Sequence, residues 1–339
     1  MSISALRKQF EEEILDFAWS QWAQVGLSAH PTRSDTWCID PEALVLFTVS
    51  VARRDPRLMD ELLDWMTLNG RLLSLQRLRN LLPRFAVDRA LAEAVVAWVA
   101  ESAPSLRWRK IEPHSLSIGE AQPVFGSDVV SFMAQVDPTF ERYGYMRPTA
   151  ARSDKSREPD LNALVSFGFQ LRLLFGPGSR SEVVRVLLTD ADGPLDAARI
   201  AEDAGYAKRN VSDTLSSLVE SRVVKGRWSK NERVFSAYRD KWATLLERGP
   251  TASNLPTFMA WVQLLPALEG VYLWFQSEDL DLASDYILGS RARDLVERIA
   301  PLLENLGLAP LEEHGTHGPE FVLHFEELVR ALLRLIRYA

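Results

Sequence analysis

The chain has 339 residues, with 39 Lys and Arg against 46 Asp and Glu, so its formal net charge is −7. Hydrophobic residues make up 47% of the sequence and charged residues 25%, which excludes a largely disordered, collagen-like or disulfide-scaffold chain. The length predicts two or three domains. The single cysteine, Cys38, cannot form an internal disulfide, and a cysteine-based zinc site needs more thiols.

Neither a signal peptide nor a membrane span is predicted. The first eight residues lack the apolar run of a secretory signal. No uninterrupted apolar stretch approaches the roughly 18 residues of a transmembrane helix. We therefore expect a cytoplasmic protein with no membrane association. The acidic total argues at first against nucleic acid as a partner, but net charge averages over segments whose charges can differ.

The first hundred residues predict a series of helices. Asp40-Pro41-Glu42 is typical of a helix start, with an N-cap acid, proline at the first helical position and an acid in the first turn. Asp55-Pro56 repeats this signal, and the helix that follows it ends near Asn69-Gly70. Ser74 opens another helix, and residues 88–102 form one more.

Composition divides the chain into four segments. The polar run at 147–159 and the Gly- and Pro-containing stretch at 249–256 supply the boundaries. We predict an N-terminal helical domain at 1–150, a linker with a connecting helix at 151–178, a central domain at 179–248 and a C-terminal helical domain at 249–339.

The central segment has a specific order of elements. It reads as an amphipathic helix from Ser181, a turn at 192–194, a short helix after the cap residue Asp196, and a tight turn containing Gly205. A second helix follows at Lys208–Glu220 with an apolar stripe along one side. Two strand-like runs at 223–228 and 233–236 then predict a hairpin.

This order resembles the winged helix-turn-helix domain of bacterial transcriptional regulators of the MarR/ArsR type. The resemblance covers residues 179–241, about 65 of the 339, and rests on the run PLDAARIAEDAGYAKRNVSDTLSSLVESRVV. It implies a mostly α, multi-domain helical protein whose central winged helix carries a small two-stranded β-wing. The sequence departs from the usual pattern at Ala207, where Ser or Thr is common, and it places Asp213 on the reading face.

The resemblance implies a helix that reads the major groove and a wing that contacts the flanking DNA. Arginine can pair with guanine, asparagine with adenine and aspartate with a cytosine amine, while lysine and serine can bind phosphates. Residues 205–241 hold nine basic and four acidic residues, a net charge of +5, which leaves −12 for the rest of the chain. The candidate DNA-binding residues are Lys208, Arg209, Asn210, Ser212, Asp213, Ser216, Lys225, Arg227, Lys230 and Arg233.

We therefore expect a transcriptional regulator that binds double-stranded DNA as a homodimer. Its helical flanks would serve dimerisation, sensing of a small-molecule effector or binding of a protein partner. The alternative is a non-enzymatic protein–protein assembly module of a defence or chromosome-associated system. No acid–base or nucleophile constellation emerges, so we expect neither an enzyme nor a cofactor.

Four other features have an ordinary structural interpretation. His314 and His317 have metal-ligand spacing, but their Gly-containing context favours a solvent loop, so no metal is expected. His324 is assigned to the last helix, and Cys38 to the packed core. Trp228 is expected to pack on the base of the hairpin, with stacking on a base or ribose as the alternative.

Overall fold

The structure, a computed structural model, describes residues 3–29, 36–106, 108, 121–126, 135–149, 152–277, 280, 283–308 and 318–338. It is mostly helical, as predicted, with two small sheets. The α-helices are α1 Ile3–Gln24, α2 Pro41–Val51, α3 Pro56–Asn69, α4 Leu75–Leu81, α5 Arg89–Ser102, α6 Pro138–Arg142, α7 Phe167–Phe175, α8 Ser179–Thr189, α9 Ala197–Ala204, α10 Lys208–Glu220, α11 Arg239–Leu245, α12 Trp261–Phe275, α13 Asp285–Asn305 and α14 Pro319–Tyr338. The strands are β1 Gln122–Pro123, β2 Tyr145–Met146, β3 Leu195–Asp196, β4 Val224–Ser229 and β5 Glu232–Ala237.

The predicted helix starts are confirmed by their caps. Asp40 accepts from the backbone N–H of Ala43 at 3.2 Å, and Asp55 accepts from that of Leu58 at 3.1 Å. Ser74 accepts from the N–H of the residue three positions on, also at 3.2 Å. Each cap satisfies an N–H group that has no partner inside its helix, which is why these residues determine where the helices begin.

Buried apolar residues form two clusters. The larger cluster takes residues from Leu6 to Phe169 and again from Trp261 to Ile336. The smaller cluster takes residues 183–255, together with a few from the preceding helix and Cys38. The four-domain division stays a prediction, but these contacts place helices of the predicted first and last segments in one core.

The central segment contains a three-stranded antiparallel sheet in the order β3-β5-β4. The predicted hairpin is present as β4 and β5, joined by a two-residue loop. The third strand was not predicted. It is only two residues long, with Leu195 paired to Phe235 and Asp196 paired to Val234, so no alternating pattern could reveal it.

The turn between α9 and α10 depends on glycine. Gly205 has φ 70°, in the left-handed region, and a Cβ there would come within 2.9 Å of Cδ2 of Leu81. Asp196 caps α9 by accepting from the N–H groups of Ala198 and Arg199, at 2.7 and 2.9 Å. The predicted start and end of this helix are therefore both confirmed.

The remaining expectations have separate outcomes. Cys38 is buried, as predicted; its Sγ accepts from the N–H of Gly168 at 3.2 Å, and burial raises the pKa of the thiol to about 11. His324 lies in α14, as predicted, whereas His314 and His317 lie outside the described residues. Among the described residues, no helix is long and apolar enough to cross a membrane.

Candidate nucleic-acid interface

Helix α10 has one buried side and one solvent side. Val211, Leu215 and Leu218 are at most 5% exposed, and they anchor the helix on the smaller core cluster. Ala207 stands at the N-cap with no side-chain hydrogen bond to the helix. The first N–H groups of α10 consequently have no capping side chain.

The solvent side of α10 mixes cationic, polar and acidic side chains. Arg209, Asp213, Ser216 and Glu220 are exposed and follow one another at helical spacing, so they form a single ridge. Sequence reasoning named the first three but not Glu220, although the same spacing predicts its place. The basic residues of the segment therefore lie at the N-terminal end of α10, after its C-terminal end, in the hairpin and in α11, and not in the middle of the ridge.

The other three candidate residues of α10 lie on the two edges of this ridge. Lys208 and Ser212 lie on the edge of α10 that leads to Val219. That edge faces the hairpin, because a Cβ on Gly226 would come within 3.1 Å of Cγ2 of Val219. Asn210 is exposed on the opposite edge.

The hairpin divides the other four candidates between two faces and the loop. Side chains alternate along a strand, and directly paired residues share a face. Arg233 pairs with Trp228 and lies on the face that includes buried Val224 and Phe235. Lys225 and Arg227 project from the opposite face, and Lys230 stands in the two-residue loop with φ 53°. The structure therefore does not place all four on one surface.

The expectation that Trp228 packs on the hairpin base is wrong. Its side chain is 74% exposed, the highest value among the large hydrophobic residues that remain exposed in the described chain. Phe235, which is paired with Gly226, is the last buried residue on this face toward the loop of the hairpin. Trp228 lies closer to the loop, beyond the buried core. Its cross-strand partner Arg233 lies over the ring of Phe235, 5.4 Å from the centroid.

The cations of this surface have no carboxylate partners within the described chain. None of the six basic candidates forms a salt bridge with a described residue, although Lys225 lies 4.4 Å over the ring of Tyr238. We call the exposed side of α10 and the β4–β5 hairpin the basic surface. Its net positive charge suits a polyanion.

A buried ion network lies beneath the basic surface, where the two core clusters meet. It joins three arginines to three carboxylates, and every side chain is at most 4% exposed. Arg172 bridges α2 and α8, since its guanidinium lies 2.7 Å from both Glu42 and Glu182. The members are Asp40 and Glu42 at the start of α2, Arg77 in α4, Arg172 in α7, and Glu182 and Arg185 in α8.

The network keeps Glu182 and Asp40 ionised. Burial alone would raise the pKa of Glu182, but the guanidinium groups of Arg172, Arg77 and Arg185 outweigh burial and hold this pKa well below its usual range. In the same way, Arg77 lowers the pKa of Asp40 against the effect of burial. Opposite charges at such short distances favour the charged forms.

The network also holds the turn that precedes α10. Nε of Arg77 donates to the carbonyl oxygen of Ala204 at 2.7 Å, and Nδ2 of Asn80 donates to that of Gly205 at 3.1 Å. The hydroxyls of Ser74 and Tyr206 lie 2.9 Å apart. Helix α4 thus fixes the position of the N-terminal end of α10. Sequence reasoning missed these contacts because about 125 or more residues separate the partners in each pair.

Among the described residues, no three His, Cys, Asp or Glu side chains are grouped to hold a metal ion. The surface presents exposed cations, amides and hydroxyls on a helix and a hairpin. Comparisons with protein-family models, with curated proteins and with solved structures found no match to this chain.

Proposed function

We propose that residues 179–248 form a winged helix-turn-helix domain of the MarR/ArsR type and that the chain is a DNA-binding transcriptional regulator. In this proposal α10 is the recognition helix and the β4–β5 hairpin is the wing. The observation that carries the proposal is the basic surface, whose exposed cations have no described carboxylate partners. Residues 205–241, which hold this surface, have a net charge of +5 in a chain of net charge −7.

The N-terminal end of α10 enters the major groove in this proposal. The helix has 13 residues and is about 20 Å long, and an α-helix with its side chains is about 10 to 12 Å across, which suits a groove about 12 Å wide. Arg209 has the geometry to pair with guanine, and Asp213 on the same ridge can accept from a cytosine amine. Lys208 and the N–H groups that lack a capping side chain bind backbone phosphates.

The wing contributes through both of its faces. Trp228 and Arg233 share the face that continues toward α10, so they contact the DNA closest to the recognition helix. Lys225 and Arg227, on the other face, contact phosphates further along the duplex. Exposure of a large aromatic ring beside an arginine also allows stacking on a base or ribose.

The assembly predicted from the sequence is part of the same proposal. A homodimer would place two α10 helices in successive major grooves of a palindromic site, about 34 Å apart. Light scattering of the purified chain with and without duplex DNA measures this directly. A monomer in both states would refute the dimer and leave single-site DNA binding intact.

Retention of duplex DNA tests the proposal. Fluorescence anisotropy with 30-base-pair duplexes of random sequence at low salt should show binding by the wild-type chain. The double variant Lys208→Ala and Arg209→Ala should bind at least about tenfold more weakly, a difference near 1.4 kcal/mol. A control removes two exposed cations outside the basic surface, by Lys8→Ala and Arg89→Ala.

Two results would overturn the proposal. The first is no binding of DNA by the wild-type chain at low salt. The second is equal binding by the wild type and the Lys208→Ala, Arg209→Ala variant. Either would leave the protein–protein assembly module as the function of the basic surface, and a partner pull-down that depends on the same two residues would support that alternative.

A further inference from the structure

A separate cavity lies between the end of α1, the start of α3 and the extended segment that begins at residue 152. Its volume is about 700 Å³, within the range of roughly 300 to 1,000 Å³ that is typical of small-molecule sites. Its described lining includes Trp19, Arg57, Lys155, Arg157 and the backbone at 26–29. No residue of the basic surface belongs to this lining.

The cavity is strongly cationic. Arg57, Lys155 and Arg157 are its only charged residues among the described lining, and none of them forms a salt bridge with a described residue. Neighbouring arginines behave differently: Arg71 pairs with Glu158 at 2.8 Å, and Arg152 pairs with Asp154 at 2.7 Å. The three cations that line the cavity are therefore available to bind an anion from solution.

One wall of the cavity is planar and held in place. The guanidinium of Arg57 lies over the indole of Trp19, 5.3 Å from the ring centroid. The indole N–H donates to Oδ2 of Asp55 at 2.7 Å, and the other oxygen of this carboxylate caps α3. The ring therefore has a fixed orientation, and its stacked cation presents a flat surface for a planar group.

The other wall is joined to the first by backbone contacts. The N–H of Arg157 donates to the carbonyl oxygen of Gly26 at 2.7 Å, and Nδ2 of Asn69 donates to the carbonyl oxygen of Arg157 at 3.0 Å. Gly26 has φ 100°, and a Cβ there would lie 2.4 Å from that same oxygen. Only glycine permits this approach, so the cavity has a shape fixed before any ligand binds.

We propose that this cavity binds a small organic anion of the mononucleotide class, with its phosphate on Lys155 and Arg157 and its ring against the planar wall that Arg57 and Trp19 form. The cations supply the charge complement, since arginine pairs with phosphate through two parallel N–H donors. The proposal concerns a site apart from the basic surface and does not depend on DNA binding there.

Calorimetric titration of the full-length protein tests the proposal. The probes are AMP, GMP, CMP and UMP. The four corresponding nucleosides serve as uncharged controls, and inorganic phosphate serves as the control without a ring. At least one mononucleotide should bind, and the corresponding nucleoside should bind at least about tenfold more weakly. The paired variant Arg57→Ala and Arg157→Ala should lose at least about tenfold in affinity, while Lys8→Ala should bind as the wild type does.

Three outcomes would overturn the proposal: no heat with any of the four mononucleotides at millimolar concentration, equal affinity for the mononucleotide that binds and for its nucleoside, or unchanged binding in the paired variant. Binding of inorganic phosphate as tight as that of the nucleotides would refute the role of the planar wall. Because both arginines are exposed, the variants should retain the wild-type melting temperature, which a thermal unfolding scan verifies.

Discussion

The buried ion network gives a quantitative prediction for the variant Arg77→Ala. The guanidinium of Arg77 has no exposed surface, and it lies 2.5 Å from Asp40 and 2.9 Å from Glu42. After its removal Glu42 keeps Arg172 at 2.7 Å, but the closest remaining arginine to Asp40 is Arg185, at 3.8 Å. The variant thus leaves Asp40 buried with most of its charge uncompensated.

The expected cost follows from this geometry. Breaking a buried ion pair by removing one partner costs about 3 to 5 kcal/mol. The hydrogen bond from Arg77 to the carbonyl oxygen of Ala204 adds about 1 kcal/mol. We therefore expect Arg77→Ala to lower the free energy of unfolding by at least about 3 kcal/mol, a large part of the roughly 5 to 15 kcal/mol of a typical protein.

The control is Arg71→Ala. Arg71 pairs with Glu158 at 2.8 Å, but their side chains are 58% and 64% exposed, so the pair contributes about 0 to 1 kcal/mol. Urea unfolding at pH 7, followed by circular dichroism, measures both variants against the wild type. Equal losses in the two variants, or a loss below about 1 kcal/mol for Arg77→Ala, would refute the idea that buried charge pairing stabilises this junction.

Three further predictions follow from single residues. Burial raises the pKa of Glu269 to about 7, so the folded state binds this proton more tightly than the unfolded state. Its contribution to the free energy of unfolding should therefore decrease as pH rises from about 4.5 to 7. Urea unfolding at pH 5 to 8 should show that Glu269→Gln makes this free energy depend less on pH than in the wild type, and an unchanged pH dependence would contradict the prediction. Lys230→Gly replaces a non-glycine residue at φ 53°, in the left-handed region; it relieves a cost of about 1 to 2 kcal/mol but adds about 0.5 to 1 kcal/mol of backbone entropy, so it should stabilise the chain by up to about 1 kcal/mol. It should also weaken DNA binding in anisotropy, and lower stability of the variant would argue against strain in the loop. Gly205→Ala should cost at least about 1 kcal/mol in thermal unfolding, whereas the control Gly178→Ala, with φ −155° and no atom within 4 Å of the added Cβ, should cost less; equal costs would refute the steric argument.

Local signals made much of the fold predictable. Asp40, Asp55 and Asp196 cap helices through bonds to residues two or three positions ahead, so a short window of sequence contains both partners. Gly205 ends α9 through its own φ angle. The exposed side of α10 follows from the spacing of its apolar residues, which also explains why most of its candidate residues lie on the solvent side.

Non-local contacts explain what the sequence did not reveal. Asp40 reads as a helix cap, and nothing near it in the chain indicates that Arg77 reaches it from α4. Alternation predicts the hairpin but not how far the core extends beneath it, so the exposure of Trp228 was missed. The cavity likewise depends on residues 155–157 meeting the end of α1, which only the folded chain defines.

The salt dependence of DNA binding tests the central claim most directly. The slope of log affinity against log salt measures the phosphates that a protein neutralises, at about 0.9 for each contact. We predict that Lys208→Ala with Arg209→Ala reduces the magnitude of the wild-type slope by about 1 to 2, whereas Lys8→Ala with Arg89→Ala leaves it unchanged. Identical slopes in all three proteins, or no binding of duplex DNA by the wild type, would contradict the assignment of the basic surface to DNA.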